Sequence, residues 1–174
     1  MKALILCGGK GTRIAEETSV IPKPMVKIGD KPILWHIMKS FSSFGIDDFI
    51  LAAGYKGQVI KDNIKTFKEF GKVEILDTGE NTMTGGRILR TKKFLAKEEK
   101  FMMTYGDGLS DINLKKLLSF HNSHKKIATV TAVHPPEIQK LTLYYDYPDY
   151  TGLPNAIEFE SGNISVPKGT QIRV

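Results

Sequence analysis

Residues 3–7 form an unbroken apolar run that ends in glycines, the pattern of a buried strand entering a tight turn. From Lys31 onward, apolar residues fall at Ile33, Leu34, Ile37, Met38, Phe41 and Phe44. That stripe has a helical period, with Pro32 suited to the first turn and Gly45 to the end. Residues 49–53 predict a second buried strand, and Val59, Ile60, Ile64 and Phe67 a helix that stops before Gly71. Strands follow at residues 73–76, 101–104 and 127–133, with helices at 87–96 and 114–121.

Strands alternating with helices imply βαβ units, and therefore an α/β fold of three layers: a mostly parallel sheet with helices on both faces. Ligands of such sheets bind beyond the carboxyl ends of the strands. The glycine-bearing stretches after Leu6 and after Thr104 are then expected as neighbours on that edge.

The pattern changes around Pro135-Pro136. Four of the six tyrosines lie between Tyr144 and Tyr150, and no helical period runs from residue 141 to the end. Leu141-Thr142-Leu143 alternates and Ser161-Gly162-Asn163 predicts a turn, so a short β-rich tail is expected.

Composition narrows the class. In 174 residues, 41% are hydrophobic and 25% charged, which suits a globular domain of ordinary size. No apolar run approaches the roughly 18 residues of a membrane span, and the N-terminus lacks a signal-peptide pattern. A soluble, cytoplasmic protein is the expectation, with no membrane partner. A single cysteine, Cys7, excludes an internal disulfide and any multi-cysteine metal site. The net charge of +6 suits an anionic ligand or simply a solvated basic surface. It resides in residues 1–139, where 22 Lys and Arg face 15 Asp and Glu, against 3 and 4 thereafter. No aromatic interleaving supports a nucleic-acid role.

Four segments could carry chemistry. Gly8-Gly9-Lys10-Gly11-Thr12-Arg13 follows a strand, where backbone N–H groups can surround an anion. It is neither a P-loop nor a G-x-G-x-x-G match, since Gly11 follows Lys10 and Ile14 takes the last glycine position. A glycine-rich turn without a ligand is the alternative. Pro22-Lys23-Pro24 aims one cation from a restricted backbone. Tyr105-Gly106-Asp107-Gly108 presents a carboxylate suited to Mg²⁺ beyond a buried strand. Thr84-Gly85-Gly86-Arg87 opens a helix whose amides favour phosphate or polar groups. Taken singly these read equally as a rigid turn, an Asx turn and a helix cap. His121 and His124, three apart on a helix, could share a metal, although two surface histidines at a helix end are the commoner case.

In this order the segments resemble the sugar-1-phosphate nucleotidyltransferases. Leu6-Cys7-Gly8-Gly9-Lys10-Gly11-Thr12-Arg13 is similar to the family's G-x-G-T-R loop, and Pro22-Lys23-Pro24 to its lysine motif. Residues 16–26 and 32–39, Gly54-Tyr55-Lys56-Gly57, Asp77-Thr78-Gly79, Met83-Thr84-Gly85-Gly86-Arg87 and Thr104-Tyr105-Gly106-Asp107-Gly108 resemble the cytidylyl branch in particular, which acts on glucose 1-phosphate. The resemblance implies a Rossmann-like, GT-A-like fold and a Mg²⁺-dependent transfer of a cytidylyl group from CTP to glucose 1-phosphate, giving CDP-glucose and pyrophosphate. It implies that Leu6, Cys7, Gly8, Gly9 and Lys10 hold the nucleotide and that Gly11, Thr12 and Arg13 grip its phosphates. Lys23 would neutralise charge near the α-phosphate, Thr82 and Arg87 would contact CTP, Gly106 would lie against the nucleotide, and Asp107 would bind the metal. Arg13, Lys23 and Asp107 are thus the catalytic candidates. A CTP-binding fragment without a sugar site, or a uridylyl- or guanylyltransferase of the same family, is the alternative.

The resemblance covers residues 1–136. Between Ile60 and Val73 the chain is shorter than the cytidylyl members, whose excursion there helps subunits assemble, so a homo-oligomer is expected only if the missing half is supplied. Residues 137–174 match neither the family's sugar-binding motifs nor its second metal-binding aspartate. Residues 147–154 weakly resemble the opening of Ig-like β modules. The expectation is a nucleotide-binding part, 1–136, truncated there and followed by a divergent tail, 137–174.

Overall fold

The computed structural model describes residues 1–9, 21–124, 126–132, 140–144 and 156–160. The chain divides into two compact units, Met1–Lys126 and Ile127–Val174.

In the first unit β1 (Ala3–Cys7) is followed by a 3-10 turn at Lys23–Met25 and by the short strands β2 (Lys27–Ile28) and β3 (Lys31–Pro32), which pair antiparallel. Then come α1 (Ile33–Ser42), β4 (Asp48–Ala53), α2 (Gly57–Asp62), a 3-10 turn at Ile64–Phe67, β5 (Lys72–Asp77), α3 (Thr84–Leu95), β6 (Met102–Tyr105) and α4 (Leu114–His124). The main sheet is parallel throughout, in the order β5-β4-β1-β6. β1 is therefore central, with later strands added first on one side and then on the other. The crevice between β1 and β6 is the switch point at which open α/β sheets bind ligands.

Alternation along the strands builds two cores. Ala3, Ile5, Cys7, Phe49, Leu51 and Ala53 face Leu34, Ile37, Met38 and Phe41 of α1, together with Ile60, Phe67, Phe70 and Leu114. Leu4, Leu6, Ile50 and Ala52 face the other way, against Leu95 with Ile88 and Phe94 of α3. Helices thus cover both faces, as the alternation of patterns predicts. Each fully buried Leu, Ile or Phe contributes on the order of 1.5–3 kcal/mol.

Local chemistry sets the boundaries. Pro32 sits at the N-cap of α1, and Gly45 takes φ 79° just beyond its end. Asn113 Oδ1 accepts from the Lys116 N–H at 3.0 Å and caps α4, which runs to His124 rather than stopping at 121. The single helix expected through Val59 and Phe67 is broken. Asn63 Nδ2 donates to the Val59 carbonyl at 2.8 Å, a side-chain competitor for the ladder, and the chain resumes as a 3-10 turn. The strand expected at 127–133 is absent over residues 127–132, where Ile127 and Val130 are exposed. β-branched composition favours a strand only where a neighbour completes the ladder, and no described strand pairs with this segment. Val133 lies outside the described residues, as do Pro135-Pro136 and the turn expected at 161–163.

In the second unit β7 (Lys140–Tyr144) and β8 (Ala156–Glu160) pair antiparallel, with Leu141 opposite Phe159. Among the described residues no helix is long and apolar enough to cross a membrane.

Candidate functional site

Because the four strands are parallel, their carboxyl ends, Cys7, Ala53, Asp77 and Tyr105, lie on one edge. Each continues into a glycine-bearing turn: Gly8-Gly9, Gly54, Thr78-Gly79 and Gly106. A cleft of about 530 Å³ opens there, lined by Leu6, Cys7, Gly8, Gly9, Lys23, Pro24, Thr82, Met83, Thr84, Arg87, Tyr105 and Asp107. That is room enough for a nucleotide-sized ligand.

Lys23 reaches the cleft from the 3-10 turn, which is closed by Met25 N–H to the Pro22 carbonyl at 2.8 Å and Val26 N–H to the Lys23 carbonyl at 3.0 Å. Its Nζ donates to Asp107 Oδ2 at 3.1 Å. Asp107 is placed by Gly106, whose N–H donates to the Leu6 carbonyl at 3.0 Å. A Cβ on Gly106 would come within 2.9 Å of Pro24 Cγ and 3.0 Å of Cys7 Sγ, so only glycine lets the three segments approach this closely. Cys7 is buried. Burial first, and the Asp107 carboxylate second, push its thiol pKa far above the ordinary range, with the Arg87 charge opposing.

Arg87, in the first turn of α3, is 5% exposed. Its Nη1 donates to Thr78 Oγ1 at 2.7 Å, the Gly79 carbonyl at 2.8 Å and the Ala53 carbonyl at 3.3 Å. Its Nη2 donates to the Gly8 carbonyl at 2.7 Å and the Glu80 carbonyl at 3.2 Å. Burial and the neighbouring Arg90 lower its pKa, and Asp77 acts in the opposite sense. Arginine is charged at any ordinary pH, so this is a cation buried beneath the glycine loop and held by carbonyl dipoles. Arg90, one turn further, donates to the Thr78 carbonyl at 2.6 Å and to Thr82 Oγ1 at 2.7 Å. A guanidinium only donates, so the Thr82 hydroxyl keeps its own proton to give to a ligand acceptor.

The structure thus brings together Leu6, Cys7, Gly8, Gly9, Lys23, Thr82, Arg87 and Asp107 around one cleft, with Gly106 behind Asp107. Lys10, Gly11, Thr12 and Arg13 lie outside the described residues. The structure gives Thr78, quoted above only within the Asp77-Thr78-Gly79 motif, a bond to Arg87, and it adds Arg90, whose sequence signal was slight: a second arginine one helical turn beyond the first. Outside the cleft, the His121 and His124 rings meet edge to face at 5.5 Å, and His124 Nδ1 accepts from the Lys126 N–H at 3.0 Å. Among the described residues no group of three or more His, Cys, Asp or Glu could hold a metal by itself. Trp35 Nε1 donates to Glu69 Oε1 at 2.7 Å, part of the packing beside α1.

Comparison with known proteins gives four results. The family model for nucleotidyl transferases matches residues 2–141. Glucose-1-phosphate cytidylyltransferase from Salmonella typhimurium is 46% identical over 158 residues, covering 78% of this chain and 62% of that protein. The probable glucose-1-phosphate cytidylyltransferase of Bacillus subtilis is 45% identical over 154 residues, covering 76% and 60%. Among solved structures, HddC from Yersinia pseudotuberculosis, complexed with GMP-PN, aligns with a TM-score of 0.61 at 32% identity over 69% of this chain and 53% of that one. The chain therefore spans about 60% of the length of these two curated relatives.

Proposed function

The chain belongs to the nucleotidyl transferase family, and from that premise we propose that it binds CTP in the cleft between β1 and β6 and carries the nucleotide side of cytidylyl transfer to glucose 1-phosphate. The observation that supports this reading best is the meeting of Lys23 and Asp107 at 3.1 Å where the switch-point loops converge. The cytidylyl identity draws on the 46% likeness to a glucose-1-phosphate cytidylyltransferase.

The reaction is an in-line attack by a phosphate oxygen of glucose 1-phosphate on the α-phosphorus of CTP, with pyrophosphate leaving. Such a step asks for positioning and charge neutralisation, without a covalent nucleophile. The Gly8-Gly9 backbone receives the nucleotide, Lys23 offsets negative charge near the α-phosphate, and the Thr82 hydroxyl donates to an acceptor on the nucleotide. Lys10, Gly11, Thr12 and Arg13 belong to the same proposal as phosphate contacts.

Mg²⁺ fits the donor set. Asp107 is a partly exposed carboxylate at the cleft, and Mg²⁺ commonly takes one or two carboxylates together with substrate phosphates rather than an all-protein cage. Asp107 would hold it, and the ion would supply charge neutralisation at the phosphates. Lys23, which donates to Asp107 here, would be free to turn toward the nucleotide phosphates were that carboxylate engaged elsewhere.

The test is calorimetric titration with CTP and Mg²⁺, alongside pyrophosphate release on adding glucose 1-phosphate. Saturable CTP binding is expected, and its absence would overturn the reading. Turnover would extend it to a complete transferase, and binding without turnover would restrict it to a CTP half-site. Because a 32% identical structure is complexed with GMP-PN, GTP is the competitor to include, and tighter binding of GTP than CTP would move the assignment to guanylyl transfer.

A further inference from the structure

We propose that Arg87 is a positioning residue for the nucleotide loop: its guanidinium, seated in space left open by Gly8 and Gly54, holds the Gly8 carbonyl and so sets the direction of the Gly9 amide. The reading rests on the CTP assignment above for its functional consequence, and on hydrogen bonding and steric fit for its geometry.

Three observations carry it. First, both Nη atoms of the Arg87 guanidinium bond the protein. It bonds the Gly8 carbonyl after β1, the Ala53 carbonyl at the end of β4, and Thr78, Gly79 and Glu80 after β5. One rigid, planar donor group therefore ties three strand ends together.

Second, the space it occupies exists only because two residues lack side chains. A Cβ built on Gly8 would overlap Arg87 Nη1 and Cζ, and one built on Gly54 would overlap Nη1. The first glycine of the nucleotide loop thus makes room for an arginine beneath the loop, not only for a ligand above it. By contrast, a Cβ on Gly9, which is exposed, meets nothing within 4 Å.

Third, the bond has a directional consequence. A trans peptide points its C=O and the following N–H in opposite directions, and the described residues include no cis bond. With the Gly8 carbonyl drawn to Arg87 Nη2, and also accepting from the Tyr55 N–H at 3.3 Å, the Gly9 N–H is turned away from Arg87. Gly8 and Gly9 both line the cleft, so a donor fixed in this way is preorganised for an anion.

Gly54 supplies the discriminating variant, because it is not one of the residues lining the cleft and the nearest atoms a Cβ there would meet are those of the Arg87 guanidinium. Gly54→Ala, Arg87→Ala and the double variant are compared with the parent chain by CTP titration and by amide hydrogen exchange at Tyr55, a readout that needs no ligand. Each single variant is expected to weaken CTP binding by on the order of tenfold, the scale of a lost charge-assisted hydrogen bond, and to speed Tyr55 exchange. The double variant is expected to be no worse than the weaker single one, because Gly54→Ala has nothing left to displace. Multiplying effects, or a Gly54→Ala chain with unchanged CTP affinity and unchanged Tyr55 exchange, would overturn the proposal. If the parent does not bind CTP, the function assigned above fails, and coupling in Tyr55 exchange alone decides the clamp. If Arg87→Ala does not fold, Arg87→Gln takes its place in the cycle, with the same outcomes read the same way.

Discussion

Lys23 and Asp107 lie 84 residues apart in the chain, yet Lys23 Nζ donates to Asp107 Oδ2 at 3.1 Å across the mouth of the cleft. The pair meets because β1 and β6 are hydrogen-bonded neighbours, so the turn after β6 runs beside the segment that follows β1. Both side chains keep access to solvent, at 23% and 40% of their full exposure. Such a pair contributes little to stability, about 0–1 kcal/mol, and its groups are open to exchange for a charged ligand.

Lys23→Met is accordingly expected to weaken CTP binding by roughly tenfold or more, because a charge-assisted contact to phosphate is removed. Thermal stability should change little, by about 4 °C or less, given the small energy of an exposed pair. Calorimetry and thermal unfolding on the same sample check both parts. Unchanged CTP affinity would remove Lys23 from the nucleotide contacts.

Asp107→Asn separates the metal from the nucleotide. Without Mg²⁺ the variant should bind CTP as tightly as the parent or more tightly, since a negative charge leaves the cleft. The gain in affinity that Mg²⁺ gives the parent should disappear, because an amide is a poor Mg²⁺ ligand. Titrations with and without Mg²⁺ read this directly, and a variant that still responds fully to the ion would place the metal elsewhere.

The framework was legible where burial repeats with a simple period. The run at residues 3–7 and the stripe through Leu34, Ile37, Met38 and Phe41 state the central strand and its covering helix outright. Residues 127–132 misled because a strand is a property of a pair, and composition describes one partner only. Asn63 was invisible because its effect depends on a rotamer that bonds the Val59 carbonyl. At the site, Lys23 and Asp107 stand out as polar residues beside prolines and glycines. The work of Arg87 does not, since four of its acceptors are backbone carbonyls, two of them, Gly8 and Ala53, far along the chain, and backbone acceptors carry no residue-type signature.

Leu34→Ala tests the core independently of the cleft. Leu34 is fully buried between α1 and the sheet, so the substitution should cost about 2–5 kcal/mol through lost transfer energy and a residual cavity. Denaturant unfolding gives the loss as a lower midpoint. CTP affinity, measured well below that midpoint, should stay within about twofold, since Leu34 is not among the residues that line the cleft. A large loss of affinity in the folded variant would mean that the core face steers the cleft.

The Cys7 thiol makes stability fall on the alkaline side. Burial raises its pKa far above the ordinary 9.0, with Asp107 adding to the rise and Arg87 opposing it. Above that ordinary value the unfolded chain loses the thiol proton while the folded chain keeps it, so the unfolded state binds fewer protons and stability declines with rising pH. The contribution is complete below the ordinary value and is lost progressively above it, at up to about 1.4 kcal/mol per pH unit. Cys7→Ala has no such proton. In metal-free buffer, unfolding free energies of parent and variant should therefore differ by a constant amount up to about pH 8 and shift in favour of the variant from about pH 9 upward. The folded thiol should also resist alkylation over that range, because thiolate is the reactive form. A constant difference through pH 10, or rapid alkylation of the folded chain, would show that Cys7 ionises in place and that the glycine loop above it opens to water.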